Sequence, residues 1–223
     1  MTDKWDDQLK TFVNSKAGLA KMSQRIYLAS RSPRRRELLK QIGLPFELLM
    51  FREQAPRKPD VDETPLSGEA PDAYVQRIAR AKVVIAARLV LERNLPWHNV
   101  LSADTTVALG DKILGKPADN NEAMAMMREL SGKTHEVHSA IAMTDGSAIE
   151  VALSSSRVTF GELSEEDIKA YVLTGESLDK AGGYAIQGRA AAFISRLEGS
   201  YSGVMGLPLY ETIKLVQRFV RRE

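Results

Sequence analysis

The apolar run Ile26-Tyr27-Leu28-Ala29 leads within a few residues into Ser32-Pro33, and this junction limits the fold more than any other stretch. The run reads as a buried strand. Ser32 suits an N-cap, Pro33 the first helical position, and Leu38, Leu39 and Ile42 an apolar stripe, so a helix is expected over 33–43. A strand feeding directly into a helix is how an α/β layer begins. The charge at the junction is the reverse of what a helix start favours. Arg31, Arg34, Arg35 and Arg36 crowd an end that carries partial positive charge and unpaired N–H groups. Guanidinium forks beside free backbone donors make a phosphate cradle. The plainer alternative is a solvated basic helix start that tolerates repulsion of ~0.3–1 kcal/mol per charge.

A chain of 223 residues can build one well-cored domain, or one domain with two lobes. Its 43% hydrophobic and 27% charged residues are those of an ordinary soluble globule. The formal charge of +2 makes the arginine cluster a local feature, not part of a field suited to nucleic acid, and none is expected as a partner. Without cysteine there is no disulfide, thiolate metal site or cysteine nucleophile. No stretch approaches a membrane span, and the first residues lack the apolar core of a signal peptide. A cytoplasmic protein with no membrane partner is the expectation.

Residues 1–24 read as an N-terminal extension, either a short docking helix carrying Trp5, Leu9, Phe12 and Val13 or a frayed tail. Residues 25–223 read as a single catalytic domain. A strand is expected near Phe46–Met50, then a long loop over 51–69 containing Pro56, Pro59 and Pro65. A helix over 71–93 follows, with Val75, Ile78, Ala79, Ile85, Ala86 and Leu89 on one stripe. Lys82 falls inside that stripe, so it either snorkels at the edge or reaches into a cleft. Val100–Leu109 alternates as a strand, and Gly110-Asp111-Lys112 turns it back. Asp119 with Glu122 and Ser164 with Asp167 read as capping boxes, the first opening a helix that buries Ala123, Met126, Met127 and Leu130. Strands over 133–143 and 149–160 form a hairpin, a second hairpin is expected around Glu198-Gly199-Ser200, and a last helix runs over 208–222. The fold class is α/β, with a mixed central sheet flanked by helices.

Gly110-Asp-Lys-Ile-Leu-Gly115-Lys116-Pro117 has phosphate-loop spacing except at its end, where Pro117 supplies neither a hydroxyl nor an N–H. It reads instead as a hairpin, leaving Lys116 as a phosphate partner or a solvated lysine. His135 and His138, three apart on a strand, point to opposite faces and are structural or surface residues, not a zinc pair. Asp104 interrupts an apolar, β-branched strand. A carboxylate there is hydrogen-bonded structurally, binds a hard cation, or acts as a base. Gln187, near Gly182, Gly183 and Gly188, offers a donor and an acceptor that match the edge of uracil or thymine, or else faces water in a turn.

Taken in order, Leu28-Ala-Ser-Arg-Ser-Pro-Arg-Arg-Arg-Glu-Leu-Leu39, Val61-Asp-Glu-Thr64, Ser102-Ala-Asp-Thr-Thr-Val107, Gly115-Lys-Pro117, Leu130-Ser-Gly-Lys-Thr-His135, Asp179-Lys-Ala-Gly-Gly-Tyr-Ala-Ile-Gln-Gly188 and Gly206-Leu-Pro208 resemble the Maf family of nucleoside triphosphate pyrophosphatases. The resemblance runs from Ile26 to the C-terminus. It implies two lobes around a nucleotide cleft, as in inosine triphosphatase-like folds. Its Ala-Asp-Thr and Tyr-Ala-Ile-Gln-Gly segments are similar to the branch acting on dTTP and UTP; the sister branch acts on 7-methyl-GTP. It further implies Asp104 as catalytic proton acceptor, Arg34, Thr105 and Gln187 as residues of base choice, and Ser30, Arg35, Lys82 and Lys116 around the phosphates. Glu63 and Asp104 would hold a divalent cation, magnesium or manganese, although the long 51–62 loop offers Glu53 as a rival. Arg31 stands where the family often has a small residue, and it would crowd or supplement the cradle. The nucleoside triphosphate is the expected partner, a homodimer the expected assembly. A non-catalytic regulator of septum formation is the alternative from another class. One conflict remains: strict alternation sends Asp104 and Thr105 to opposite sheet faces, so both serve one cleft only where the strand ends or bulges.

Overall fold

The computed structural model describes residues 25–51 and 61–220. The extension 1–24 and the rival Glu53 lie outside the described residues. Strand β1 (Ile26–Ala29) is followed by α1 (Pro33–Gln41) and β2 (Phe46–Leu48), then by the long α2 (Pro71–Glu92). Strands β3 (Val100–Leu109) and β4 (Lys112–Leu114) form a hairpin, α3 (Asn120–Leu130) follows, and β5 (Thr134–Thr144) and β6 (Ile149–Phe160) form another. After α4 (Glu165–Val172) come two 3-10 turns over 181–183 and 189–193, then β7 (Ile194–Glu198), α5 (Tyr201–Met205) and α6 (Leu209–Val220). All seven strands join one sheet in the order β2-β1-β3-β5-β6-β7, with β4 beside β3. The two pairings made by β1 are parallel and the rest antiparallel, which makes the sheet mixed.

Alternation along the strands builds two apolar layers at one end of the sheet. Tyr27, Ala29, Val100, Ala140 and Ala142 pack beneath the α2 stripe of Val75, Ile78, Ala79, Val83 and Ala86. Ile26, Leu28, Leu101, Ala103, Ile141 and Met143 bury the opposite face against α1 and α6. A third cluster at the far end joins Val107, Leu114, Val137 and Phe160 to α3, α4 and Tyr184. Two lobes result, and β3 passes from one to the other.

Capping chemistry sets the helix starts. Ser32 Oγ accepts from Arg35 N, with Pro33 at the helix entrance. Ser164 and Asp167 form the expected reciprocal box. At α3, Asp119 accepts from Glu122 N, but Glu122 returns its bond to Ala118 N, one residue earlier than a true box requires. The hairpin expected around Gly199 is absent. Ser200 Oγ accepts from Gly203 N and starts α5, so the chain turns into a helix instead of a returning strand. Among the described residues no helix is long and apolar enough to cross a membrane.

Candidate active site

The cleft exists because β3 changes neighbours partway along one edge. Strand β1 pairs with it only as far as Ser102, and β4 ends opposite Val107. Between them Ala103–Thr106 have no strand on that side, while their other edge stays in unbroken register with β5. Thus β3 neither ends nor bulges at the site. Asp104 projects on the α2 face and Thr105 on the α1 face, and a cleft of about 660 Å3 passes through the gap to reach both. The conflict posed by alternation is resolved by the neighbouring strands, not by β3.

The site candidates Ser30, Arg34, Arg35, Glu63, Lys82, Asp104, Thr105, Lys116 and Gln187 all line this cleft. Of the four arginines at the α1 start, Arg31 also lines it and Arg36 does not. Arg31 donates to the Phe51 carbonyl at 2.7 Å, so it extends the wall instead of blocking the cradle. No acidic residue occupies the first turn of α1, leaving that end electropositive.

Lys82 reaches into the cleft, at the level where β1 has ended. Its Nζ lies 2.6 Å from Asp104 Oδ1 and 2.8 Å from Glu63 Oε1. Burial pushes the Asp104 carboxyl above the ordinary aspartate range, against the opposing pull of Lys82 and Arg35. At Glu63 burial also pushes upward, but Lys82, Lys116 and Arg35 together outweigh it and hold the carboxyl low. Two carboxylates in one site are thereby driven apart in acidity, the pattern that separates a proton acceptor from a permanently ionised neighbour.

The second oxygens of Asp104 and Glu63 have no protein hydrogen bond among the described residues, which contain no cluster of three His, Cys, Asp or Glu side chains fit for a metal. Two carboxylates with phosphate oxygens completing the shell are the donor set magnesium takes from a protein and a nucleotide. The residues present fit such an ion.

Arg35 is the mechanical hub. Its Nε donates to Gly206 O at 2.7 Å, Nη1 to Ser30 Oγ at 3.2 Å and Nη2 to Thr105 Oγ1 at 3.3 Å. Lys116 is exposed at the rim, and Gln187 is exposed with its amide unbonded to other described residues. Sequence reasoning assigned no role to Tyr74 or Asp179. Tyr74, eight residues before Lys82 on α2, donates its hydroxyl to Glu63 O at 2.9 Å and so fixes the loop that carries Glu63. Asp179, held at φ 62°, lines the cleft and opposes the effect of burial on Arg34. A hydroxyl at the start of the α2 stripe and an acid before the Gly182-Gly183 pair were the available signals.

A family model described as Maf-like protein matches residues 25–219. A dTTP/UTP pyrophosphatase of Dechloromonas aromatica is 53% identical over 194 residues, covering 87% of this chain and 96% of that protein. One from Nitrosospira multiformis is 54% identical over 196 residues, covering 88% and 95%. The solved Ham1 protein of Staphylococcus aureus aligns over 89% of this chain and 98% of its own, with TM-score 0.46 and 14% identity.

Proposed function

The chain belongs to the Maf-like protein family, and from that premise we propose that it is a pyrophosphatase converting dTTP and UTP to the nucleoside monophosphate and pyrophosphate. One observation carries the reading from the geometry: the arginine-rich tip of α1 and the buried Asp104 open onto the same cleft. The cleft's 660 Å3 lies within the 300–1,000 Å3 usual for small-molecule sites. Six lining cations (Arg31, Arg34, Arg35, Lys82, Lys116 and Lys180) face three carboxylates (Glu63, Asp104 and Asp179), a balance that suits a polyanion.

Arg34, Arg35, Lys82 and Lys116 hold the triphosphate at the electropositive start of α1. Magnesium or manganese held by Glu63 and Asp104 supplies charge neutralisation on the phosphate oxygens. Asp104 orients a water and takes its proton as the oxygen attacks the α-phosphorus in line. The bond from that phosphorus to the bridging oxygen breaks, and pyrophosphate leaves with the electron pair. Positioning and charge dominate phosphoryl-type transfer, so the site needs no strong nucleophile. Gln187, with its amide free, pairs with the donor and acceptor edge of the pyrimidine. Residues 25–223 form one catalytic domain behind the 1–24 extension, working in the cytoplasm as a homodimer.

Pyrophosphate release is measured from dTTP, UTP, 7-methyl-GTP and the purine triphosphates with each metal. Turnover highest on dTTP and UTP is expected, and Asp104→Asn binds nucleotide but releases no pyrophosphate. Preference for 7-methyl-GTP would move the chain to the sister branch, and wild-type inactivity on every triphosphate would end the enzymatic reading.

A further inference from the structure

Ser139 sits directly across from Thr105 in the β3–β5 register, is fully buried, and does not line the cleft. Its hydroxyl donates to Gly203 O at 2.6 Å, a carbonyl of α5. With that proton committed, the 2.8 Å contact between Ser139 and Thr105 makes the threonine hydroxyl the donor there, with Gly206 O at 3.4 Å its longer second acceptor. Thr105 Oγ1 in turn accepts from Arg35 Nη2. The result is one directed chain from Arg35 through Thr105 and Ser139 to the α5 backbone. A second route closes the loop, because Arg35 Nε donates to Gly206 O just beyond the same helix.

The proton of Thr105 is therefore spent inside the protein. A threonine in that condition has no proton to give a base, and what its hydroxyl fixes directly is the Arg35 fork. Resting on the functional reading above, we propose that Ser139 is a positioning residue: by fixing the Thr105 hydroxyl it sets the Arg35 fork, and through Arg35 the seat of the triphosphate. The α5 side is constrained too, since Gly206, whose carbonyl takes the Arg35 Nε bond, adopts φ 114°, a conformation side chains rarely take.

The test compares Ser139→Ala, Thr105→Val and the double variant. Calorimetry measures the affinity for α,β-imido-UTP, which is not hydrolysed, and pyrophosphate release gives kcat and KM for dTTP. Ser139→Ala is expected to weaken analogue binding and to raise KM about tenfold with kcat changed less than threefold, the effect of about one buried hydrogen bond. The double variant is expected to bind no more weakly than Thr105→Val, because both changes cut the same chain. Ser139→Cys keeps a donor at the position, weaker and larger than the hydroxyl, and is expected to fall between wild type and Ser139→Ala; if Ser139→Ala does not fold, it is compared with wild type directly. Ser139 variants within twofold of wild type in affinity, or losses that multiply in the double variant, overturn the proposal. Wild-type protein that binds the analogue without turning over dTTP or UTP would end the functional reading alone, and the relay is then read from the affinities.

Discussion

Asp104 owes its chemistry to two opposed influences, burial that raises its carboxyl and the Lys82 and Arg35 charges that lower it, with burial the larger. A base must be unprotonated to work, so activity is lost as pH falls through this raised pKa. The acid limb of kcat/KM is expected above the ordinary aspartate range, and a pH profile on dTTP checks it. A limb at ordinary aspartate acidity would assign the proton acceptor elsewhere. His135 is a buried histidine of another kind, bonded at 2.7 Å to the Tyr184 hydroxyl, stacked edge-on against Phe160 and, among the described residues, without a hydrogen-bond partner on Nδ1. Burial lowers its pKa from 6.5 to about 4. The unfolded chain therefore takes up a proton that the folded one refuses, and stability falls as pH drops from 6.5 towards 4. The full loss amounts to about 3 kcal/mol. Denaturant titrations across that range should show a slope shallower by up to one proton in His135→Gln, and equal slopes would refute the assignment.

Among the elements, the segment over 179–188 depends on one close approach. Gly182 has φ 67°, donates its N–H to Gly115 O and packs against β3, so that an added Cβ would lie 2.9 Å from Val107 Cγ1. Its position decides where Asp179 and Gln187 meet the cleft. Gly182→Ala combines a left-handed residue with overpacking and should cost about 2–4 kcal/mol. Its KM for UTP should rise more than its kcat falls, because the base-facing segment shifts while Asp104 stays in register with β5. A melting curve and steady-state kinetics on one preparation test both parts. The element starts were legible in the sequence where one short-range bond fixes them, as at Ser32 and Ser164. Gly199-Ser200 was read as a turn because the same residues serve hairpins and N-caps, and only the Gly203 N–H decides between them.

At the scale of the molecule, the cleft separates lobes that share β3, and a triphosphate would touch groups on both. Ligand binding should therefore stabilise the whole chain. At a hundredfold excess over Kd the gain is about 2.7 kcal/mol, which for a domain of this size raises Tm by about 5–10 °C. Scanning calorimetry of Asp104→Asn with magnesium and dTTP measures this without turnover. A shift confined to one of two separate transitions would show that the lobes are not bridged.

Residue types and local spacing determined the strand-to-helix opening, the α2 stripe with Lys82 inside it, and the family to which the motifs point. Such features depend on neighbours within about one helical turn or one strand pair, and these are visible in order along the chain. The tertiary structure alone decided how Asp104 and Thr105, on opposite faces of an unbulged strand, come to share a cavity. It also joined Ser139, Tyr74 and Gly206 to the site. Those outcomes depend on where β1 and β4 stop along β3 and which hydroxyl proton is already committed, and distant segments fix all three once they pack together.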